Sequence, residues 1–577
     1  MQRFVLVLCL MTAVTACGND PAGDSSDADR WINPESRADA GDDARGSGDV
    51  GGAGDTDSAD DAGDAGSDAT GDAGLPEGVV MTEEGPVQGD EFAGVTSFFG
   101  VPYAKPPVGE LRWKAPRPPE PRSETLQADS FGPACPQPRD NANLQEQSED
   151  CLKLNVWAPG LGDAEPKPVM VWLHGGGFVG GSSRQTGNSG RPLFDGEDLA
   201  RNGVVVVTLD YRLGALGFLA HESFIGDDPT YPAAGNYGLL DQIRALEWLQ
   251  ANIAQFGGDP DNITLFGQSA GAASICTLMT LPQAEGLFDR AIMQSGYCPG
   301  WLRKLDERQV RQEAATEQGA RLAQAVGCAD SADVAQCLRS KPAEDLVQAF
   351  VLPEDSTERP EGFSPILDGH LIQQSPRQVV EQGGAHSIPL VIGVNSDEGS
   401  FYGFQDRNMT DEEYETRLAE LFPTLDHVII REYPSNDYLE PWRALADVWG
   451  DAIIVCPSRR LARQHRAAGN DVFTYYFTHV DSVGSQYSLG AYHTAELPYV
   501  FGELSGPNGK DDDVRLSRVM QSWWTSFAID GSPGTVDELQ WPIYEASADS
   551  GVDLSGEYLG LKSNFRAEYC DFWDEWR

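Results

Sequence analysis

A serine hydroxyl becomes a useful nucleophile only where a base can take its proton and nearby donors can accept developing negative charge. The stretch Asn262-Ile-Thr-Leu-Phe-Gly-Gln-Ser-Ala-Gly-Ala272 has the residues for that chemistry. A short apolar run feeds into Gly267-x-Ser269-x-Gly271 and then into small residues able to start a helix, which is the nucleophile-elbow pattern. The flanking glycines let strand and helix backbones approach closely enough for a strained turn, and the helix N-terminus then lies beside the reacting oxygen. Five residues with three fixed recur by chance in Gly-rich chains, so the apolar strand before the serine and the helix after it carry the reading. A second stretch, His174-Gly-Gly-Gly-Phe178, follows the apolar run at 169–173 and puts backbone amides where a carbonyl oxygen can reach them.

The elements around these stretches alternate. Residues 79–82, 85–89 and 98–107 read as short strands of a small antiparallel opening. Runs at 149–157, 169–173 and 204–209 follow, and residues 238–256 form an amphipathic helix with Leu239, Leu240, Ile243, Leu246, Leu249 and Ile253 on one side. Strand, helix, strand and elbow in that order describe a parallel sheet with right-handed crossovers. Runs at 290–295, 389–394 and 472–478 extend it, and 302–349 and 411–466 read as helical insertions, the usual source of a lid or pocket wall. No internal repeat and no second folded domain is evident.

On such a sheet the acid and the base follow the serine, at the ends of later strands. His370, His386, His427, His465, His479 and His493 qualify by order. Two loops are suitably placed: Asn395-Ser-Asp-Glu-Gly-Ser400, and Gly490-Ala-Tyr-His493 running on to Phe501-Gly502. Asp397 and Glu398 follow the same strand, and position alone does not separate them.

Taken together, Glu149-Asp-Cys-Leu-x-Leu-Asn155, His174-Gly-Gly-Gly-Phe178, Tyr211-Arg-x-Gly-Ala-Leu-Gly-Phe218, Gly257-Gly-Asp-Pro260, the elbow, Asp397-Glu-Gly399 and His493 with Phe501-Gly502 resemble the type-B carboxylesterase family, which includes carboxylesterases and cholinesterases. The resemblance runs from about residue 79 to 573 and implies the α/β-hydrolase fold, a mostly parallel central sheet flanked by helices. It also implies Ser269 as nucleophile, His493 as base and then acid, Glu398 as the orienting acid, and the amides of Gly176, Gly177 and Ala270 as oxyanion donors. The expected activity is hydrolysis of small-molecule carboxylic esters through an acyl-enzyme, without metal or cofactor. An amidase or carbamate hydrolase on the same triad is an alternative. A non-catalytic surface binding protein is a more distant one, because adhesion relatives of the family lose the serine that this chain keeps.

Two departures stand out. Gln268 replaces the glutamate common before the nucleophile, which removes a carboxylate and should lessen preference for cationic leaving groups. The stretch between Cys135 and Cys151 is short and lacks the tryptophan that cholinesterases use for quaternary ammonium. The resemblance also implies disulfides Cys135–Cys151, Cys328–Cys337 and Cys456–Cys570. Cys276 and Cys298 remain; they flank the elbow helix and the strand after it and are expected to pair, the bland alternative being two buried thiols.

The rest of the chain concerns location. Residues 1–17 carry Arg3, an apolar run too short to span a membrane, and Val14-Thr15-Ala16-Cys17, which resembles a bacterial lipobox. A signal segment with lipidation at Cys17 is expected. Residues 18–75 are Gly, Ala, Asp and Ser-rich, and 18–74 hold 16 acidic against 3 basic residues. Such a segment cannot offset its ordering entropy and should be a disordered tether spanning roughly 40 Å. The catalytic domain is then 76–577, exported and anchored through lipid or else secreted or periplasmic. With a net charge of −49 for the whole chain, most of it on the folded part, nucleic acid is excluded as a partner.

Overall fold

The computed structural model describes residues 75–576 apart from 139–145, 188–189, 301, 310–311, 350–361 and 505–508. The expected signal segment, Cys17 and all but the last residue of the tether lie outside the described residues.

Eleven strands form the main sheet: β1 (Asp90–Phe92), β2 (Val95–Pro102), β3 (Lys153–Pro159), β4 (Lys167–Leu173), β5 (Val205–Leu209), β6 (Gly258–Gln268), β7 (Arg290–Gln294), β8 (Leu390–Asn395), β9 (Val472–Phe477), β10 (Ser550–Leu554) and β11 (Leu559–Ser563). Their spatial order is β11-β10-β9-β8-β7-β6-β4-β5-β3-β2-β1. The run from β10 to β5 is parallel, and the antiparallel pairings lie at the two ends. A separate small sheet begins with the antiparallel pair Val79–Thr82 and Gly85–Gln88.

The pleat sorts apolar residues onto two cores. In β4, Val169, Val171 and Leu173 face one side with α1 (Tyr237–Asn252) and α2 (Ala270–Leu278). Met170 and Trp172 face the other side with α4 (Asp511–Asp530). Period-two alternation demands this division, and a sheet covered on both faces must be apolar on both. Each fully buried Val, Leu or Ile contributes roughly 1.5–3 kcal/mol, so the central strands are the most firmly held part of the molecule.

The helix expected over 238–256 is α-helical only to Asn252, tightens to a 3₁₀ turn at Ile253–Phe256, and stops at Gly257 with φ +77°. The 302–349 insertion opens with a two-residue parallel pairing, Arg303–Lys304 against Ile366–Leu367, before its short helices Ala315–Ala325, Val334–Ser340 and Ala343–Gln348. The 411–466 insertion is helical, includes α3 (Pro441–Gly450), and builds a third apolar cluster with the C-terminal helix Ala567–Glu575. The cysteines are joined as Cys135–Cys151, Cys276–Cys298, Cys328–Cys337 and Cys456–Cys570, with Cα separations of 5.0, 5.2, 5.6 and 4.9 Å.

Strand β4 lies between β5 and β6, so the chain winds to one side after β4 and to the other at β6. Such a reversal opens a crevice at the carboxyl ends of the two strands, where ligands bind in open α/β sheets. Both Ser269 and the triple glycine start there.

One buried ion pair fixes an edge of that crevice. Arg212, just past β5, donates from Nε and Nη2 to the two oxygens of Asp241 on α1, each at 2.7 Å, and its backbone N–H also reaches Asp241. Both side chains are almost fully buried. Removing one partner of such a pair strands a charge and costs about 3–5 kcal/mol, whereas replacing both by apolar groups is far cheaper. Asp241→Ala should therefore lower the thermal unfolding midpoint sharply, and Arg212→Met with Asp241→Leu should recover most of the loss. An unchanged midpoint in Asp241→Ala would show that the pair does not hold the loop after β5.

Candidate active site

Ser269 joins β6 to α2 with φ +56° and ψ −120°, a conformation that costs a non-glycine residue of order 1–3 kcal/mol. Its surroundings hold it there. Its N–H donates to Gln294 O at 3.0 Å, and its carbonyl accepts from Ala273 N at 2.9 Å. A Cβ on Gly271 would lie 1.9 Å from Leu173 O, and one on Gly296 would lie 2.2 Å from Ala272 Cβ. Helix α2 is thus wedged between the end of β4 and the turn after β7, at separations only glycine permits. The Ser269 side chain is half-buried, and Ala270 begins α2, so its N–H has no acceptor within the helix.

The glycine loop runs alongside. A Cβ on Gly175 would come within 3.1 Å of Ser269 Cβ and 2.9 Å of Gln268 Oε1. Gly176 and Gly177 have φ of +113° and +62°, and among the described residues their amides donate to no other group. Tyr211 stacks on His174 at 4.4 Å and donates its hydroxyl to His174 O at 2.8 Å. Gly214 N–H donates to Phe178 O at 2.7 Å, and Gln137 exchanges hydrogen bonds with both backbone groups of Gly181. Burial favours the uncharged form of His174, whose Nδ1 meets Gly175 O at 2.8 Å, and burial likewise raises the neighbouring Asp210 carboxyl. Asp210 accepts from both the N–H and the hydroxyl of Ser183 at 2.8 Å.

From β8 and the loop after β9 come the other two groups. His493 Nδ1 lies 2.6 Å from Glu398 Oε2, both side chains being almost fully buried, and Glu398 Oε1 accepts from Asn395 N–H at 2.8 Å. Asp397 points elsewhere: its carboxylate accepts from Ala491 N–H at 3.0 Å and from the Ser396 hydroxyl at 2.5 Å, pinning the histidine loop by its backbone. His479 also points elsewhere. Its Nε2 lies 2.7 Å from Asp513 at the start of α4, and its Nδ1 accepts from Gly556 N–H at 3.2 Å.

Three features had no role assigned from the sequence. Asn395 donates from Nδ2 to Tyr492 O and to Glu496 Oε2, each at 2.7 Å, joining the end of β8 to the histidine loop. Glu496 is fully buried; burial raises its carboxyl above the usual range, and the Asn395 hydrogen bond opposes the rise. It lies three residues after His493, at the end of the turn that leads into the short helix Leu497–Phe501, and with Thr494 at φ +82° no helical spacing in the sequence points to it. Tyr402, four residues after Glu398, lies 5.6 Å from the His493 ring and 4.0 Å from Trp449 of α3, so the 411–466 insertion contributes an aromatic wall. Beyond these, Gln268 Nε2 lies 3.0 Å from His493 Nε2, while Ser269 Oγ makes no hydrogen bond among the described residues. A separate cavity of about 340 Å³, lined by Arg191, Asp195, Asp198, Arg201 and Glu503 among others, shares no residue with this set. Among the described residues no His, Cys, Asp or Glu cluster is placed to hold a metal ion, and no helix is long and apolar enough to cross a membrane.

A half-buried serine on a strained turn, free amides beside it and a buried carboxylate–imidazole pair are suited to acyl transfer. Known proteins similar to this chain are esterases by name. Residues 76–573 match the carboxylesterase family. The chain is 36% identical to a fumonisin B1 esterase of Sphingopyxis macrogoltabida, over 84% of this chain and 89% of that protein. It is 36% identical to a cholinesterase of Mus musculus over 86% of each, and 37% identical to a para-nitrobenzyl esterase of Bacillus subtilis (strain 168) over 83% and 95%. Among solved structures, a PNB esterase superposes with a TM-score of 0.73 at 35% identity, covering 86% of this chain and 99% of that one. The chain belongs to the carboxylesterase family, has its α/β-hydrolase fold, and is a carboxylic ester hydrolase.

Proposed function

We propose that ester hydrolysis proceeds through an acyl-enzyme on Ser269, with His493 as base and then acid, Glu398 as its orienting carboxylate, and the amides of Gly176, Gly177 and Ala270 as oxyanion donors. The observation that carries this reading is the buried 2.6 Å contact of Glu398 with His493 Nδ1, next to a serine held at φ +56°. With Nδ1–H donated to Glu398, the lone pair of Nε2 is the basic one. The Ser269 Oγ–H proton passes to Nε2 as an Oγ electron pair forms the bond to the carbonyl carbon, and the carbonyl pair moves onto its oxygen, facing the free amides. Collapse reforms the carbonyl and expels the alkoxide, which takes the Nε2 proton. Water, deprotonated by the same nitrogen, then releases the acid. The alcohol leaves from the His493 side, where Tyr402 and Trp449 stand, so benzyl and aryl esters are suitable first substrates.

Ser269→Ala should keep the fold and reduce ester turnover by about 10⁴-fold or more, and an organophosphate should label the wild-type peptide that contains Ser269. Glu398→Gln and His493→Ala should each cost about 10³-fold or more, while Asp397→Asn and His479→Ala stay within about tenfold. Turnover of one nitrophenyl ester by the five variants, with circular dichroism, checks the set. An active His493→Ala beside a dead His479→Ala would overturn the base, and an active Glu398→Gln beside a dead Asp397→Asn would overturn the acid. A chain-length series of nitrophenyl esters run beside an amide and a carbamate defines the substrate class.

We further propose that residues 1–17 direct export, that Cys17 carries lipid, and that the acidic tether holds the domain off a membrane surface. The four disulfides suit an oxidising compartment. Cys17→Ala should move the enzyme out of the membrane fraction with unchanged specific activity on soluble esters; identical fractionation of variant and wild type would refute the anchor.

A further inference from the structure

The nitrogen that must take the serine proton is already occupied. His493 Nδ1 donates to Glu398, so Nε2 presents a lone pair, and what meets it at 3.0 Å is the side-chain amide of Gln268. Gln268 and His493 are both almost fully buried, and the backbone of the next residue is Ser269 itself. On its other side the Gln268 amide oxygen lies against the glycine loop, where a Cβ on Gly175 would come within 2.9 Å of it. The amide therefore sits between the oxyanion loop and the imidazole.

We infer that Gln268 is a positioning residue for His493, holding Nε2 in the resting enzyme and following the ring through its change of protonation. The inference rests on the proposed role of His493 as base. An amide has a donor end and an acceptor end of nearly equal shape. The NH₂ end donates to the lone pair of the neutral ring. When Ser269 gives up its proton and Nε2 becomes an N–H donor, a half-turn of the amide about its last bond presents Oε1 instead, with no change in volume. The proton is then shared between a neutral acceptor and the departing alkoxide, and the alkoxide, being far more basic, takes it. A carboxylate at 268 could only accept. It would hold the protonated ring in the resting state and compete with Glu398 for it. An apolar side chain would do neither.

Three other titratable groups face the ring: Glu398 at Nδ1, the buried Glu496, and the Tyr402 phenol. Gln268→Met adds no titrating group beside these three, so a change in its pH dependence reports on that contact, while Gln268→Glu tests the opposite extreme of a carboxylate at the same place. The test uses the full chain, p-nitrophenyl butyrate as a neutral substrate, and kcat/KM measured from pH 5 to 9 for wild type, Gln268→Glu and Gln268→Met. A carboxylate within hydrogen-bond reach favours the protonated ring, so the acid limb of Gln268→Glu should move up by about one pH unit or more. Gln268→Met removes the donor that favours the neutral ring, and its limb should move in the same direction by less. Should the buried carboxylate prevent folding, the methionine variant alone decides, because a residue that merely packs leaves the limb where it is. Limbs coincident with wild type in every folded variant overturn the inference. His493→Ala separates the two levels: retained activity removes the base assignment beneath the inference, whereas an inactive His493→Ala beside unmoved limbs removes only the role of Gln268.

Discussion

The backbone of Ser269 is held in a conformation that a serine does not choose, and much of the molecule bears on keeping it there. The turn exists because Leu173 O and Gly271 approach to a separation that excludes any side chain, which brings β4, β6 and α2 together at one point. Strand register sets that approach, since Leu173 pairs with Gly267 across the parallel ladder between β4 and β6. A slip of one residue would exchange Trp172 with Leu173 between the two cores, which packing forbids. A strain of order 1–3 kcal/mol is thus fixed by central strands whose side chains are buried on both faces. The same ladder delivers the glycine loop, because the residue after Leu173 begins it.

Around this turn the structure buries several carboxylates, and each is given different partners. Asp241 has a guanidinium, Glu398 an imidazole and a backbone amide, Asp210 a hydroxyl and a backbone amide, and Glu496 two side-chain amides. A buried carboxylate without donors would be far too costly to keep, so these partners decide which groups carry charge. Asp241 belongs to the scaffold, since its charge is spent on Arg212. Glu398 is joined to a buried imidazole whose other nitrogen meets Gln268 beside the elbow serine. Adjacent positions diverge in the same way: at 397 and 398 the backbone sends one carboxylate to the amide of residue 491 and the other to the ring of residue 493.

The strands from β3 to β9, the elbow and the glycine loop were legible in the sequence because they depend on local pattern, namely apolar runs, their lengths and glycines at turns, whereas β1, β10 and β11 at the sheet's ends lack such runs and β2 read as part of a separate small opening. The end of α1 at Asn252 was less so, because the helical pattern continues through Ile253 and only the left-handed Gly257 stops it. The short pairing of Arg303–Lys304 with Ile366–Leu367 had no periodic signal, being two residues long and closed by a partner more than sixty positions away. Within the site, residue types and order narrowed six histidines to the loops after two strands, and the family resemblance chose between neighbours. The contacts that set their roles join positions 225, 101 and 95 residues apart, Gln268 to His493, Asn395 to Glu496 and Glu398 to His493. No spacing rule reaches across such separations, since the paths of the intervening insertions determine them.

The net charge of this protein and the charge of its site point in different directions. The chain is strongly acidic, yet beside Ser269 the residue at 268 is a neutral amide, Glu398 is paired with His493, and Glu496 is buried with its carboxyl raised. Surface carboxylates act on an approaching substrate through solvent, and at physiological ionic strength that influence decays over about 8 Å. An attraction for cations would therefore act on the approach to the crevice and would fall away as salt is added. Beside Ser269 the short-range surroundings are the aromatic rings of Tyr402 and Trp449 near the histidine and the close approach of the glycine loop to the elbow. Groups so arranged present shape and polarisability to a neighbouring molecule more than charge.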